Sequence, residues 1–188
     1  MSSRLAAFAV ISGALAVSIL TGCWDEERKG SHLGAEDSNP ASQYEKAQRF
    51  SDTRSANYDL REAYKWMLKA SEGGHASAQL SLAGMYERGE GIEKNDAEAS
   101  RWLLRSAMNA NTVAYRYIGT KYYYGVGLPK DYVEAYAWFN IAAANSGVSG
   151  DRQFRDDLER ELTPIQVLRG QQRSAQLSRE IQERGTAR

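Results

Sequence analysis

The sequence predicts an all-α chain built from a repeated helix pair. Three observations carry this. The stretch from Ala78, AQLSLAGMYERGEGIEKNDAEASRWLLRSA, realigns without a gap on the stretch from Ala114, AYRYIGTKYYYGVGLPKDYVEAYAWFNIAA, at an offset of 36 residues. Residues that start and stop helices recur at the same offset. Between them, apolar residues fall at helical spacing. A period of this size marks a stacked array of small helical units.

The alignment is dense. Ala78, Leu82, Ala83 and Tyr86 fall on Ala114, Ile118, Gly119 and Tyr122. Gly89, Gly91, Ile92 and Lys94 fall on Gly125, Gly127, Leu128 and Lys130, and Glu98, Ala99, Trp102 and Ala107 on Glu134, Ala135, Trp138 and Ala143. One period earlier stand Phe50, Glu62, Ala63 and Trp66, but Thr53 and Ser55 replace the two glycines. Three units follow, 40–75, 76–111 and 112–147, with a worn first copy, as terminal repeats usually are.

Each unit reads as two helices. The first carries an apolar stripe such as Leu82, Met85 and Tyr86, and stops at Gly89 or Gly125, where a left-handed residue is cheap for glycine. Ile92 and Leu128 should tuck inward from the loop. The second helix opens at a capping box: Asp59 with Glu62, Asn95 with Glu98, Asp131 with Glu134. It leaves near Gly73–Gly74, Asn109–Asn111 and Asn145–Gly147. Residues 148–188 predict two capping helices and a tail. Phe154, Leu158 and Leu162 make one apolar stripe, and Thr163, Pro164 and Gln166 restart a helix carrying Ile165, Leu168, Leu177 and Ile181. The charge-rich run 151–184 reads as a solvated face, with an arginine-bearing binding surface as the alternative.

The N-terminus has a different character. Leu5 to Leu20 is uncharged, follows Arg4, and is short for a membrane span of about 20 apolar residues. It predicts a signal peptide, residues 1–22, that is removed. Leu20, Thr21, Gly22 and Cys23 resemble a bacterial lipobox. That resemblance implies cleavage after Gly22, a diacylglycerol thioether on the Cys23 thiol and acylation of its freed amine. An uncleaved anchor with an accidental cysteine is the alternative. Two or more acyl chains hold a protein at a membrane firmly, where one does not. Residues 23–39 are polar and aperiodic and predict a flexible tether. Trp24 is either an interfacial residue or an incidental one.

Composition narrows the chemistry. Cys23 is the sole cysteine, so a lipidated chain has no disulfide and no thiolate metal site, and His32 and His75 are the only imidazoles. Without residues 1–22 the chain has 23 basic against 24 acidic residues, which offers nucleic acid no basic field. No cofactor or metal motif is present. Gly89-x-Gly91 and Gly125-x-Gly127 precede helices, yet the acidic caps beside them disfavour phosphate. His75, at a unit junction, reads as a turn residue rather than a general base. The Trp66, Trp102 and Trp138 column reads as shared core rather than a ligand stack.

The set Ala-x-x-x-Leu/Ile-Ala/Gly-x-x-Tyr, Gly-x-Gly-aliphatic and Ala-x-x-Trp over about 40–147 resembles the Sel-one-like repeat (SLR) family, a relative of the tetratricopeptide repeat. Ala83 departs from the family's glycine. The resemblance implies a right-handed α-solenoid of antiparallel helix pairs, three 36-residue repeats plus the C-terminal capping helices, whose first helices line a concave face. Tyr117, Lys121 and Tyr124 lie off the core stripe of the third unit's first helix and are groove candidates, or else pack on the terminal helices. Their equivalents are Ser81, Met85 and Arg88, then Glu45, Arg49 and Asp52.

The resemblance implies a membrane-anchored, periplasm-facing adaptor that binds another envelope protein in its groove. A glycan- or peptidoglycan-binding module is the alternative, suggested by the tyrosines. A β-lactamase-like enzyme is the third reading; the relatives that suggest it brace each repeat with a disulfide that this chain lacks. In the enterobacterial sorting pattern an aspartate directly after the lipidated cysteine retains the protein at the inner membrane. Here Trp24 holds that place and Asp25 comes one later, which points to the outer membrane.

Overall fold

The structure is a computed structural model that describes residues 38–145 and 147–187. The signal segment, Cys23 and Trp24 lie outside the described residues. Residues 39–188 form one compact unit. It is built from eight helices among the described residues: α1 (Pro40–Ser51), α2 (Leu60–Glu72), α3 (Ala76–Arg88), α4 (Asp96–Met108), α5 (Thr112–Tyr124), α6 (Tyr132–Asn145), α7 (Ser149–Glu161) and α8 (Pro164–Thr186). Each of α1 to α6 packs on the next, while α8 packs on α6 and reaches α4. The helices stack pair upon pair as an α-solenoid. No described helix is long and apolar enough to cross a membrane.

Local chemistry sets the period. Each first helix is capped by a side chain at the same place: Asn39 accepts from Ala41 N–H, His75 Nδ1 from Ala78 N–H, and Asn111 from Val113 N–H. Each second helix is capped by Asp59, Asn95 or Asp131, whose side-chain oxygen takes two orphan amides. The amide of each of these cap residues donates back to the carbonyl of Phe50, Tyr86 or Tyr122, at 2.9, 2.9 and 3.0 Å. The loop therefore closes identically in the first unit, although its glycines are gone.

The expected reciprocal bond from the glutamate does not form in the three repeats. Glu62 bonds Lys65 at 2.7 Å, Glu98 bonds Arg101 at 2.5 Å, and Glu134 bonds Arg173 of α8 at 2.7 Å. The cap residue's amide already donates to the carbonyl of Phe50, Tyr86 or Tyr122, which leaves each glutamate to take a cation instead. The box with both halves is the one at Thr163 and Gln166.

Gly89 and Gly125 end their helices in the left-handed region, at φ 70° and 74°. Gly91 and Gly127 serve a different end. A Cβ on either would collide with the carbonyl of Leu60 or Asp96, the first residue of the preceding unit's second helix. These glycines are where successive units touch backbone to backbone, and that contact fills the turn in which a phosphate would have to sit.

One apolar cluster runs from Ala47 through Leu82, Trp102 and Ile118 to Trp138, Leu177 and Ile181. A smaller one joins Ala135, Tyr136, Phe139 and Leu158. Burial in the capping helices departs from the expected stripes. Leu158, Leu177 and Ile181 are buried, but Phe154, Ile165 and Leu168 are largely exposed. The cause is the pose of α8. Gly170 sits against the ring of Tyr136 and Ser174 accepts from Asn140 Nδ2 at 2.9 Å. The buried face is thus 170, 174, 177 and 181, which leaves 165 and 168 outside it.

Candidate partner-binding groove

The first helices α1, α3 and α5 wall a groove of about 420 Å³. Gln48 and Ser51 come from α1, Leu80, Ser81, Gly84, Met85 and Arg88 from α3, and Val113 and Tyr117 from α5, with Met67 and Leu103 beneath. Tyr117 is 48% exposed and Val113 49%. Four of the six candidates, Ser81, Met85, Arg88 and Tyr117, therefore share one surface.

Their parts differ. Met85 is 4% exposed and is floor rather than contact, because its position borders the core stripe of α3. Arg88 folds over Gly84 and donates from Nε and Nη2 to Glu90 at 2.6 and 2.8 Å. The pair holds the Glu90 carboxyl below its usual range. Lys121 is not on the wall. Its ammonium pairs with the Glu87 carboxylate of α3 and its side chain is 12% exposed. The helix-to-helix ion pair claims the charge expected to meet a partner.

Tyr124 lies elsewhere too. It is 67% exposed and lines a second cleft, between α5 and α7, edge-on to Tyr123 at 4.9 Å. Two helical turns, about 10 Å, separate it from Tyr117, and the facing helix has changed from α3 to α7. In α1 the expected Glu45, Arg49 and Asp52 give way to Gln48 and Ser51. Asp52 is already extended, beyond the helix end, and accepts from Arg54.

The remaining candidates fall into structural roles. His75 caps α3 and stacks on Tyr44 at 4.6 Å. Its burial pushes the imidazole pKa down. The sequence reading placed it in a turn and missed the cap; Asn39 and Asn111 at one period either side were the available signal. In the tryptophan column, Lys46 and Lys69 lie over Trp66 at 3.6 and 4.3 Å, and Arg105 over Trp102 at 4.5 Å. Trp138 is buried and stacks on Tyr115. Three residues on, where the first two units have Lys69 and Arg105, the third has Ile141, which is buried in the same cluster as Leu177 and Ile181. Among the described residues no three His, Cys, Asp or Glu side chains are grouped to hold a metal.

Comparison with known proteins agrees with the architecture. The Sel1 repeat matches residues 54–75, 76–111 and 112–146. A Sel1 repeat protein from Oxalobacter formigenes is 30% identical, with a TM-score of 0.60 over 71% of this chain and 98% of that one. The protein c5321, a protective antigen present in uropathogenic Escherichia coli strains and displaying an SLR fold, is 27% identical, with a TM-score of 0.71 over 78% of this chain. This chain spans 31% of the length of c5321. No curated protein matches the sequence. The fold is one suited to protein–protein interaction, and the chain belongs to the Sel1 repeat family.

Proposed function

We propose that the protein is a lipid-anchored adaptor of the bacterial envelope that holds a partner protein in the α1–α3–α5 groove. The observation that carries the reading is the groove itself. It offers about 420 Å³, is floored by apolar side chains, and is edged by the exposed Tyr117 and Val113. Exposed aromatic and aliphatic side chains over a packed floor are the usual anchors of an interface. The charges near it cancel in pairs, Arg88 with Glu90 and Lys121 with Glu87. Selection within the groove then rests on shape and apolar contact, and the groove's own share of the affinity should change little with salt.

The lipobox-like Leu20–Cys23 supports the anchor, with the chain facing the periplasm and Trp24 favouring the outer membrane. Two experiments test the halves separately. Cys23→Ala should abolish labelling by a palmitate analogue and release the protein from membranes; a variant that stays labelled and membrane-bound contradicts the anchor. Tyr117→Ala with Val113→Ala should lose a crosslinked partner while keeping the fold. Capture unchanged in that variant, or binding of purified peptidoglycan in its place, contradicts the protein-binding groove. We read the protein as non-catalytic, and expect no β-lactam turnover from the purified chain.

A further inference from the structure

The cleft between α5 and α7 has chemistry of its own. It encloses about 210 Å³, with the buried Phe139 and Leu158 at its base. Tyr123 and Tyr124 wall one side and Phe154, Asp157 and Glu161 the other. The rings are held in place by neighbours: Tyr124 edge-on to Tyr123, and Phe154 stacked on Phe139 at 5.6 Å. Yet Tyr124 and Phe154 remain 67% and 49% exposed. Large rings fixed this firmly and left in water present preorganised faces, and an aromatic face attracts cations.

The charge points the same way. Asp157 and Glu161 stand one turn apart on one side of α7. Glu161 has no cation within ion-pair distance among the described residues; the Tyr123 hydroxyl donates to it at 3.5 Å. Its field pushes the Tyr123 phenol pKa up. Asp157 pairs with Arg160, whose side chain is 76% exposed, a surface pair that exchanges readily. The other cations close by are engaged elsewhere. Arg155 bonds Asp156 and Arg116 bonds Asp151, while Lys130 lies over the Tyr132 ring at 4.7 Å, near enough to feel the Glu161 charge but outside ion-pair distance. No lining residue is basic.

We propose that this cleft seats a lysine or arginine side chain of the protein held in the main groove, its cation against the rings of Tyr124 and Phe154 and the carboxylates of Asp157 and Glu161. The identity of the carrier rests on the adaptor reading; the cleft's preference for a cation does not. The full chain, with tyrosine and phenylalanine rings isotope-labelled, is titrated with N-acetyl-arginine amide and N-acetyl-lysine amide and followed by NMR. The controls are N-acetyl-citrulline amide, which is uncharged, and choline. The Tyr124 and Phe154 signals should shift saturably with the two basic probes, and at least about tenfold more weakly with citrulline. Asp157→Asn with Glu161→Gln should remove the shift while the Tyr117 signal stays unmoved. Equal response to citrulline, or none to the basic probes, overturns the cation site and leaves the main groove untouched. Tighter binding of choline than of either basic probe overturns the side-chain assignment in favour of a lipid headgroup. Partner capture lost with Tyr117→Ala but unchanged in the double carboxylate variant overturns it as well.

Discussion

Ala83 departs from the glycine of its repeat position, and the reason lies across the helix pair. In the third unit Gly119 occupies that place, and a Cβ there would sit 2.7 Å from the ring of Phe139. One period back the facing residue is Leu103, and one further it is Met67, opposite Ala47. The pairs are thus Ala with Met, Ala with Leu and Gly with Phe, a conserved volume rather than a conserved residue. Gly119→Ala should cost about 1–3 kcal/mol by overpacking. Adding Phe139→Leu should recover most of it, and a double-mutant cycle by urea denaturation reads the coupling. The cap at His75 gives a second test. His75→Ala should cost about 1 kcal/mol. Nδ1 accepts the Ala78 amide when the imidazole is neutral, and burial holds the folded pKa below its ordinary 6.5. The contribution is therefore whole above that value and is lost as pH falls through the lowered one. His75→Asn should keep the cap and lose this pH dependence. The caps of the second helices were legible because Asp and Asn directly precede the apolar run. The His75 cap was not, since histidine rarely serves there.

At the scale of the element, α7 and α8 are tied on by polar bonds between distant residues. Arg116 of α5 bonds Asp151 of α7 at 3.2 Å, and Asp151 is 2% exposed. Arg173 of α8 bonds Glu134 of α6, whose second carboxylate oxygen is buried without a partner. Arg116→Ala should destabilise the chain by about 3 kcal/mol, near the low end for a broken buried pair because the arginine is about one-third exposed. Adding Asp151→Asn should restore part of that, since the neutral amide is cheaper to bury; thermal melts compare the two. These ties explain what sequence could and could not show. Glu62, Glu98 and Glu134 share one place in the repeat, and their position near a helix start was legible. Their partners were not, because Lys65 and Arg101 lie one turn away while Arg173 lies on another element. The period carries local structure and is silent on contacts made outside the array.

Across the whole molecule, the α-solenoid and its unit spacing were legible because stacking makes each unit's contacts nearly a copy of its neighbour's. The terminal region has no copy to be read from. At 23 residues, about 34 Å long, α8 lies along α6 and reaches α4 instead of forming a fourth pair with α7. That pose leaves Phe154 at an open cleft and buries Trp138, while Trp66 and Trp102 keep cations over their rings. The single stripe read as Tyr117, Lys121 and Tyr124 divides for the same reason, into a groove residue, an ion-pair partner of Glu87 and a cleft residue. The central claim is that a partner protein lies in the α1–α3–α5 groove. The most direct test places a photoreactive phenylalanine analogue at Tyr117, and separately at Arg101, which is exposed on α4 and off the groove wall. After irradiation in cells, the account predicts one specific envelope protein crosslinked from position 117 and none from 101. Crosslinks of equal yield from both positions, or from 101 alone, would contradict it.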